Sequence, residues 1–299
     1  MSDGLRIPTD SQVLLGDNLG LLSGFADSTF QLVYADPPFN TGKEQRRLTL
    51  ATVPDENGDR TGFKGKRYRT ERLNSSAYRD QFEDYLAFLE PRLRQIHRLL
   101  ADSGTFYFHI DYREAHYCKL LLDEVFGRMC FLNEIIWAYD YGARARSRWP
   151  AKHDTILVYV KDPERYHFDN AEVDREPYMA PGLVTKEKAE KGKLPTDVWW
   201  HTIVSPTGRE KTGYPNQKPE GIVRRMVLAS SRPGDWCLDP FAGSGTLGAV
   251  AAKLGRHYVL IDENPEAVRV MRQRLGTHDE CDVTMLEPAL AAESSSSLF

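Results

Sequence analysis

Leu32-Val33-Tyr34-Ala35-Asp36-Pro37-Pro38-Phe39-Asn40 runs from an apolar segment through an acid and two prolines to an aromatic. Its apolar start reads as a buried strand. Pro37 and Pro38 have no amide hydrogen to give a ladder, so the strand ends before them. Asp36 and Phe39 are then left at a strand's carboxyl end, where open α/β sheets bind ligands. An acid acceptor, a rigid turn and an aromatic plate suit a flat ring that carries an amine. A plain Asp-Pro-Pro turn is the alternative, and the rest of the chain has to decide.

Near the other end, Trp236-Cys237-Leu238-Asp239-Pro240-Phe241-Ala242-Gly243-Ser244-Gly245-Thr246 repeats the design. A strand ends at Asp239, a glycine turn follows, and 247–254 reads as a helix. Gly243 and Gly245 let a ligand approach the backbone, and the helix N-terminus offers free amides. The spacing falls short of the dinucleotide fingerprint, and there is no Gly-Lys-Ser phosphate loop. Tyr258-Val259-Leu260-Ile261-Asp262 is a further strand ending in an acid, the usual place for a ribose-binding carboxylate. Val13-Leu14-Leu15-Gly16-Asp17-Asn18 ends another strand in an acid. Asp17 reads equally as a helix N-cap or as a ligand contact.

Between these ends, 78–100 and 114–126 have helical apolar spacing, while 105–110, 131–139 and 155–160 read as strands. Alternation of this kind predicts a doubly wound, mostly parallel sheet. Residues 43–79 hold ten Arg or Lys against five Asp or Glu, with interleaved aromatics and no period. They are expected to form a long mobile loop that meets phosphates and unstacked bases, with Arg67 and Arg69 among the contacts. A second basic segment, 141–153, carries Arg144, Arg146 and Arg148 with no acid from Gly142 to Lys152. It too suits an anion. Residues 161–200 are polar and proline-bearing and read as an inserted recognition segment. Gln217-Lys218-Pro219 leads into a helix over 222–230.

The 299 residues, 41% of them hydrophobic, allow one large α/β domain. The net charge of −4 carries no nucleic-acid signal by itself. Cys118, Cys130, Cys237 and Cys281 are too scattered for a zinc site or disulfide frame, so no metal is expected. With no long apolar run and no signal-peptide pattern, a cytoplasmic protein without membrane contact is expected.

Taken together, the two strand ends resemble the S-adenosylmethionine-dependent amino-methyltransferases of DNA. In that family Asp-Pro-Pro-Phe/Tyr is the catalytic motif and Phe-x-Gly-x-Gly the cofactor motif. The catalytic motif comes first here, as in the permuted β class. Gln217-Lys218-Pro219 and Asn133-Glu134-Ile135-Ile136-Trp137 also look like that class. The resemblance spans roughly residues 12–275 and implies a circularly permuted Rossmann-like fold. It implies a catalytic half over 1–160, a target-recognition segment over 161–204, a cofactor-binding half over 205–275 and a disordered tail over 276–299.

By the same resemblance, Asp36 and the Pro37 carbonyl accept the two hydrogens of an exocyclic amine. Pro38 rigidifies the turn, and Phe39 stacks on a base flipped out of duplex DNA. Asp262 would hold ribose, Asp17 would sit near the adenine amine, and Asp239 near the methionine ammonium. The turn Phe241, Gly243, Ser244, Gly245, Thr246 would hold the methionine end, flanked by Lys218. Asp at the head of the catalytic motif favours adenine N6; cytosine N4 is the alternative, and a non-catalytic DNA-binding relative a third. Protein-glutamine and RNA amine methyltransferases usually carry Asn in place of Asp36. Homodimer and monomer stay open, as does a cognate restriction endonuclease acting separately.

Overall fold

The structure, a computed structural model, describes residues 5–40, 84–142 and 144–276, and the backbone alone of 45–54, 60–61 and 67–78. Its frame is one eight-stranded sheet. The strands are β1 (Gln12–Leu15), β2 (Phe30–Ala35), β6 (Leu100–Ile110), β7 (Phe131–Ala138), β8 (His153–Val160), β9 (Val198–Trp200), β10 (Trp236–Asp239) and β11 (His257–Asp262). Their order is β1-β11-β10-β2-β6-β8-β7-β9, and every pair is parallel except those of β8, which runs against β6 and β7. The expected doubly wound, mostly parallel architecture is therefore present.

Burial follows from the layering. All six residues of β2 are buried, because helices cover both faces. Val33 and Ala35 face the cluster built with Leu89, Leu93 and Ile96 of α2 (Tyr85–Leu99) and Leu122 of α3 (Ala115–Phe126). Leu32 and Tyr34 face the opposite cluster. There Ile222 and Met226 of α5 (Glu220–Ser230), Leu247 of α6 (Thr246–Lys253) and Met271 of α7 (Pro265–Leu275) pack. The short helix α1 (Asn18–Ser23) adds Leu21 and Leu22 to the first cluster, and α4 (Lys186–Lys191) buries nothing.

One sequence expectation needs correction. Residues 43–79 are not a structureless loop: β3 (Gln45–Pro54), β4 (Arg60–Thr61) and β5 (Arg67–Tyr78) form an antiparallel three-stranded sheet in the order β3-β5-β4. A hairpin satisfies its amides by pairing with itself and needs no apolar period to do so, which is why periodicity missed it. Helix α7 is marked by local signals as well: Asn264 caps it, Pro265 opens it and Gly276 closes it in the left-handed region at φ 69°. Beyond Gly276 the expected disorder of the tail lies outside the described residues.

Helix α6 touches β11 through Gly248, where an added Cβ would lie 2.5 Å from Leu260 Cδ1 in a fully buried position. Gly248→Ala should therefore lower stability by about 1–3 kcal/mol despite its better helix propensity, as measured by urea unfolding. An unchanged or raised midpoint would contradict this packing.

Candidate active site

The parallel register Cys237↔Leu32 and Leu238↔Val33 brings the carboxyl ends of β10 and β2 side by side. Leu15↔Asp262 and Asp239↔Leu260 add the ends of β1 and β11. Strands cannot continue past Pro37 or Pro240, so the chain turns away at each tip and leaves a hollow. That hollow is a cavity of about 480 Å³ lined by Asp17, Asp36, Pro37, Pro38, Phe39, Lys218, Asp239, Phe241, Gly243, Ser244, Thr246 and Asp262. Of the residues expected in the catalytic and cofactor sets, only Gly245 is not part of its lining. Gly245 turns the backbone at φ 71°, where an added Cβ would lie 2.7 Å from Met271 Cγ.

The two halves are bonded together at this point. Lys218 Nζ reaches both Asp36 oxygens, at 2.8 and 2.6 Å, and its ammonium lies 4.7 Å from the Phe39 ring centroid. Lys218 is buried, neither a surface lysine nor placed at the glycine turn alone; the distance it shares with Asp36 could not be foreseen from spacing. Thr246 Oγ1 donates to the Lys218 carbonyl at 3.1 Å. Arg274 Nη1 donates to Ser244 O, and its Nη2 to Glu220 Oε1. Helix α7 thereby ties the glycine turn to the start of α5.

The acids are in different environments. Asp262 Oδ2 accepts the Gly243 amide at 2.8 Å and Oδ1 the Asn264 amide at 2.9 Å. Burial nevertheless holds its carboxyl above the usual range. Asp239, 3% exposed, accepts the Phe241 amide at 3.0 Å. Burial pushes it well above the carboxylate range, with the charges of Asp36 and Asp262 adding to the shift and the Phe241 amide and Lys218 opposing it. Asp17 caps α1 through the Gly20 amide at 3.1 Å and pairs with Arg92 Nη2 at 2.7 Å, so its capping role is realised at the cavity's edge. Tyr85 Oη donates to the Pro38 carbonyl at 2.6 Å, so the Pro38 carbonyl is already engaged.

A second cavity of about 730 Å³ shares Phe39 and Lys218 with the first. Its wall includes Arg113, Arg144, Arg148 and Lys211, with Asp111 and Asp154 as its acids. Arg146 is exposed on the same connection between β7 and β8 and is not in the wall. Arg67 and Arg69 lie on β5, whose side chains are outside the described residues. The first cavity is lined by five acidic and two basic side chains and the second by the reverse, so the balance of acidic and basic groups inverts across Phe39 and Lys218. Sequence reasoning missed Arg92, Tyr214 and Asn264 in the first wall and Tyr139 and Asp154 in the second. Arg92 sits on an amphipathic helix like any surface arginine, and nothing in its spacing marks it. Among the described residues no group of His, Cys, Asp and Glu could hold a metal ion, and no helix is long and apolar enough to cross a membrane.

The profile of a DNA methylase family matches residues 30–273. The DNA adenine methyltransferase YhdJ of Escherichia coli K12 is 30% identical over 271 residues, which are 88% of this chain and 82% of that one. The Type II methyltransferase M.HpaI of Haemophilus parainfluenzae is 29% identical over 268 residues, 89% of this chain and 74% of that one. Among solved structures, the M1.HpyAVI–SAM complex superposes with a TM-score of 0.56 at 19% identity, covering 88% of this chain and 98% of that one. The cytosine-N4-specific PvuII DNA methyltransferase superposes at 0.61 and 16%, covering 92% and 88%. At these identities the structural likeness concerns the fold.

An acid raised by burial holds its proton on folding. Its contribution is complete below the unfolded pKa of about 4 and is lost as pH rises through the folded value. Asp239→Asn should therefore raise the Tm of the ligand-free protein at alkaline pH by a few degrees, and make its decline above about pH 4 shallower. A decline as steep as that of the parent protein in a calorimetric pH series would remove Asp239 as the cause.

Proposed function

The chain belongs to the DNA methylase family, and from that premise we propose that it methylates the exocyclic N6 amine of adenine in duplex DNA, using S-adenosylmethionine. The observation that carries this reading is the shared wall of the two cavities. Phe39 and Lys218 line both an acidic hollow and a basic cleft, and Asp36, which lines the hollow, is bonded to Lys218. An acidic hollow suits a sulfonium and an ammonium, and a basic cleft suits phosphates.

The residues present fit the cofactor. Asp239 is a buried carboxyl with no cation bonded to it among the described contacts, and an ammonium would supply one. Asp262 is fixed by two amides and keeps lone pairs for ribose hydroxyls. Gly243, at φ 51°, bends the backbone beneath Tyr214. When bound, S-adenosylmethionine supplies a methyl group on a sulfonium. The chain's own residues then do the positioning. Asp36 accepts one amine hydrogen and the Pro37 carbonyl the other, which draws the nitrogen lone pair out of conjugation and towards a tetrahedral geometry. A carboxylate has about four lone-pair sites, so Asp36 can serve Lys218 and the amine together. Phe39 stacks on the flipped base. Arg144, Arg146 and Arg148, with Arg67 and Arg69 by sequence, are assigned to phosphates, and 161–204 to target recognition.

The Asp at position 36 supports adenine over cytosine, and the relative YhdJ carries the adenine name. A cytoplasmic location is consistent with the substrate. A cognate endonuclease acting separately is suggested by the Type II relatives, and a homodimer by the β-class resemblance.

Incubation with unmethylated genomic DNA and S-adenosylmethionine, followed by nucleoside mass spectrometry, tests the reading. N6-methyladenine is expected. N4-methylcytosine would move the substrate, and no methylated nucleoside would overturn the proposal. Asp36→Ala should lower turnover about 10²–10³-fold or more with cofactor affinity retained in calorimetry. Arg144→Ala and Arg148→Ala should each reduce the slope of log affinity against log salt by about 1 on any DNA sequence.

A further inference from the structure

Phe39 follows two prolines and leaves the sheet on a turn, so nothing in its own backbone fixes the plane of its ring. Its ring neighbour is His109 of β6, with centroids 6.0 Å apart and planes tilted by 36°. His109 is fully buried and clamped at both nitrogens. Its Nδ1 lies 2.8 Å from Tyr34 Oη, and its Nε2 lies 3.3 Å from Asp154 Oδ2. Asp154 Oδ1 in turn accepts Tyr139 Oη at 3.0 Å. Trp137 closes the ring edge-on at 5.6 Å, and its own Nε1 donates to the His201 carbonyl at 2.7 Å.

Tyr34 of β2, His109 of β6, Asp154 of β8 and Tyr139, the residue after β7, thus build a hydrogen-bonded chain beneath Phe39. Burial keeps the Tyr34 phenol protonated, so it can donate to Nδ1. Nε2 faces Asp154 Oδ2 as a donor. Burial would raise the Asp154 carboxyl, but the His109 hydrogen bond, Lys218 and Tyr139 outweigh it and hold it ionised. This arrangement fixes the ring orientation. A chain of this kind is costly in a core unless fully satisfied. An aliphatic residue at 109 would fill the same space without that cost, but it could not be held at one angle.

We propose that His109 is the positioning residue of the Phe39 plate: the Tyr34–His109–Asp154 clamp sets the angle at which Phe39 receives the target base. The inference rests on the base-stacking role of Phe39 given above.

A double-mutant cycle tests it. Tritiated S-adenosylmethionine and unmethylated genomic DNA report turnover, while calorimetry reports cofactor affinity. His109→Leu is expected to lower kcat by about 10–100-fold, with cofactor affinity within twofold. In a Phe39→Leu background, the same change should cost less than about twofold, because the ring it orients is gone. Tyr34→Phe removes a single hydrogen bond of the clamp and stands in if His109→Leu loses cofactor binding. It should show a smaller kcat loss that also vanishes without the Phe39 ring. Equal losses in both backgrounds, or no loss in either, overturn the inference and leave the methylation reading standing. No methyl incorporation by the unmodified protein overturns that reading, and the inference with it.

Discussion

The parallel pairing of β2 with β10 is the constraint on which the site depends. Leu32 lies beside Cys237 and Val33 beside Leu238, although the strands come from opposite ends of the chain. Parallel neighbours need a crossover, and here the crossover is most of the protein. Loop-closure entropy grows only slowly with length, so so long a connection is affordable when both strands are buried on two faces. A slip of one residue would turn Leu32 and Val33 to the wrong clusters. The packing that buries β2 therefore also fixes which residues reach its tip.

At that tip, Lys218 and Asp36 are joined in a largely buried ion pair. Such a pair is weak evidence for stability, because desolvation of the two charges offsets their attraction. Its value lies in registry: the loop before α5, the β2 tip and the Phe39 ring are held in one geometry. Thr246 and Arg274 extend the same registry to the glycine turn. The glycine turn and the β2 tip are thus mutually positioned by side chains that also belong to the packing of α5, α6 and α7.

The balance of acidic and basic side chains reverses across Phe39 and Lys218, which line both cavities. Five acids line one side, while arginines and lysines dominate the other. The net charge of −4 hides this completely, since the two fields nearly cancel in the sum. Steering of a polyanion requires only the local field at the cleft. The charge of the whole chain is therefore the wrong quantity for judging a nucleic-acid partner.

The strand tips were written in the local chemistry of the chain. Pro37, Pro38 and Pro240 stop ladders wherever they occur, and the apolar runs before them have to be buried, so Asp36, Phe39 and Asp239 were legible as rim residues. The glycine turn was legible for a similar local reason. What those residues touch follows from how the strands and helices assemble. Lys218 meets Asp36 across 182 positions, and His109 meets Tyr34 across 75 and Asp154 across 45. No spacing rule reaches that far, because such contacts are set by strand order and register. The hairpin over 45–78 was hidden for the opposite reason. Its backbone satisfies itself by pairing, and residues that pair without an apolar face leave no period to read.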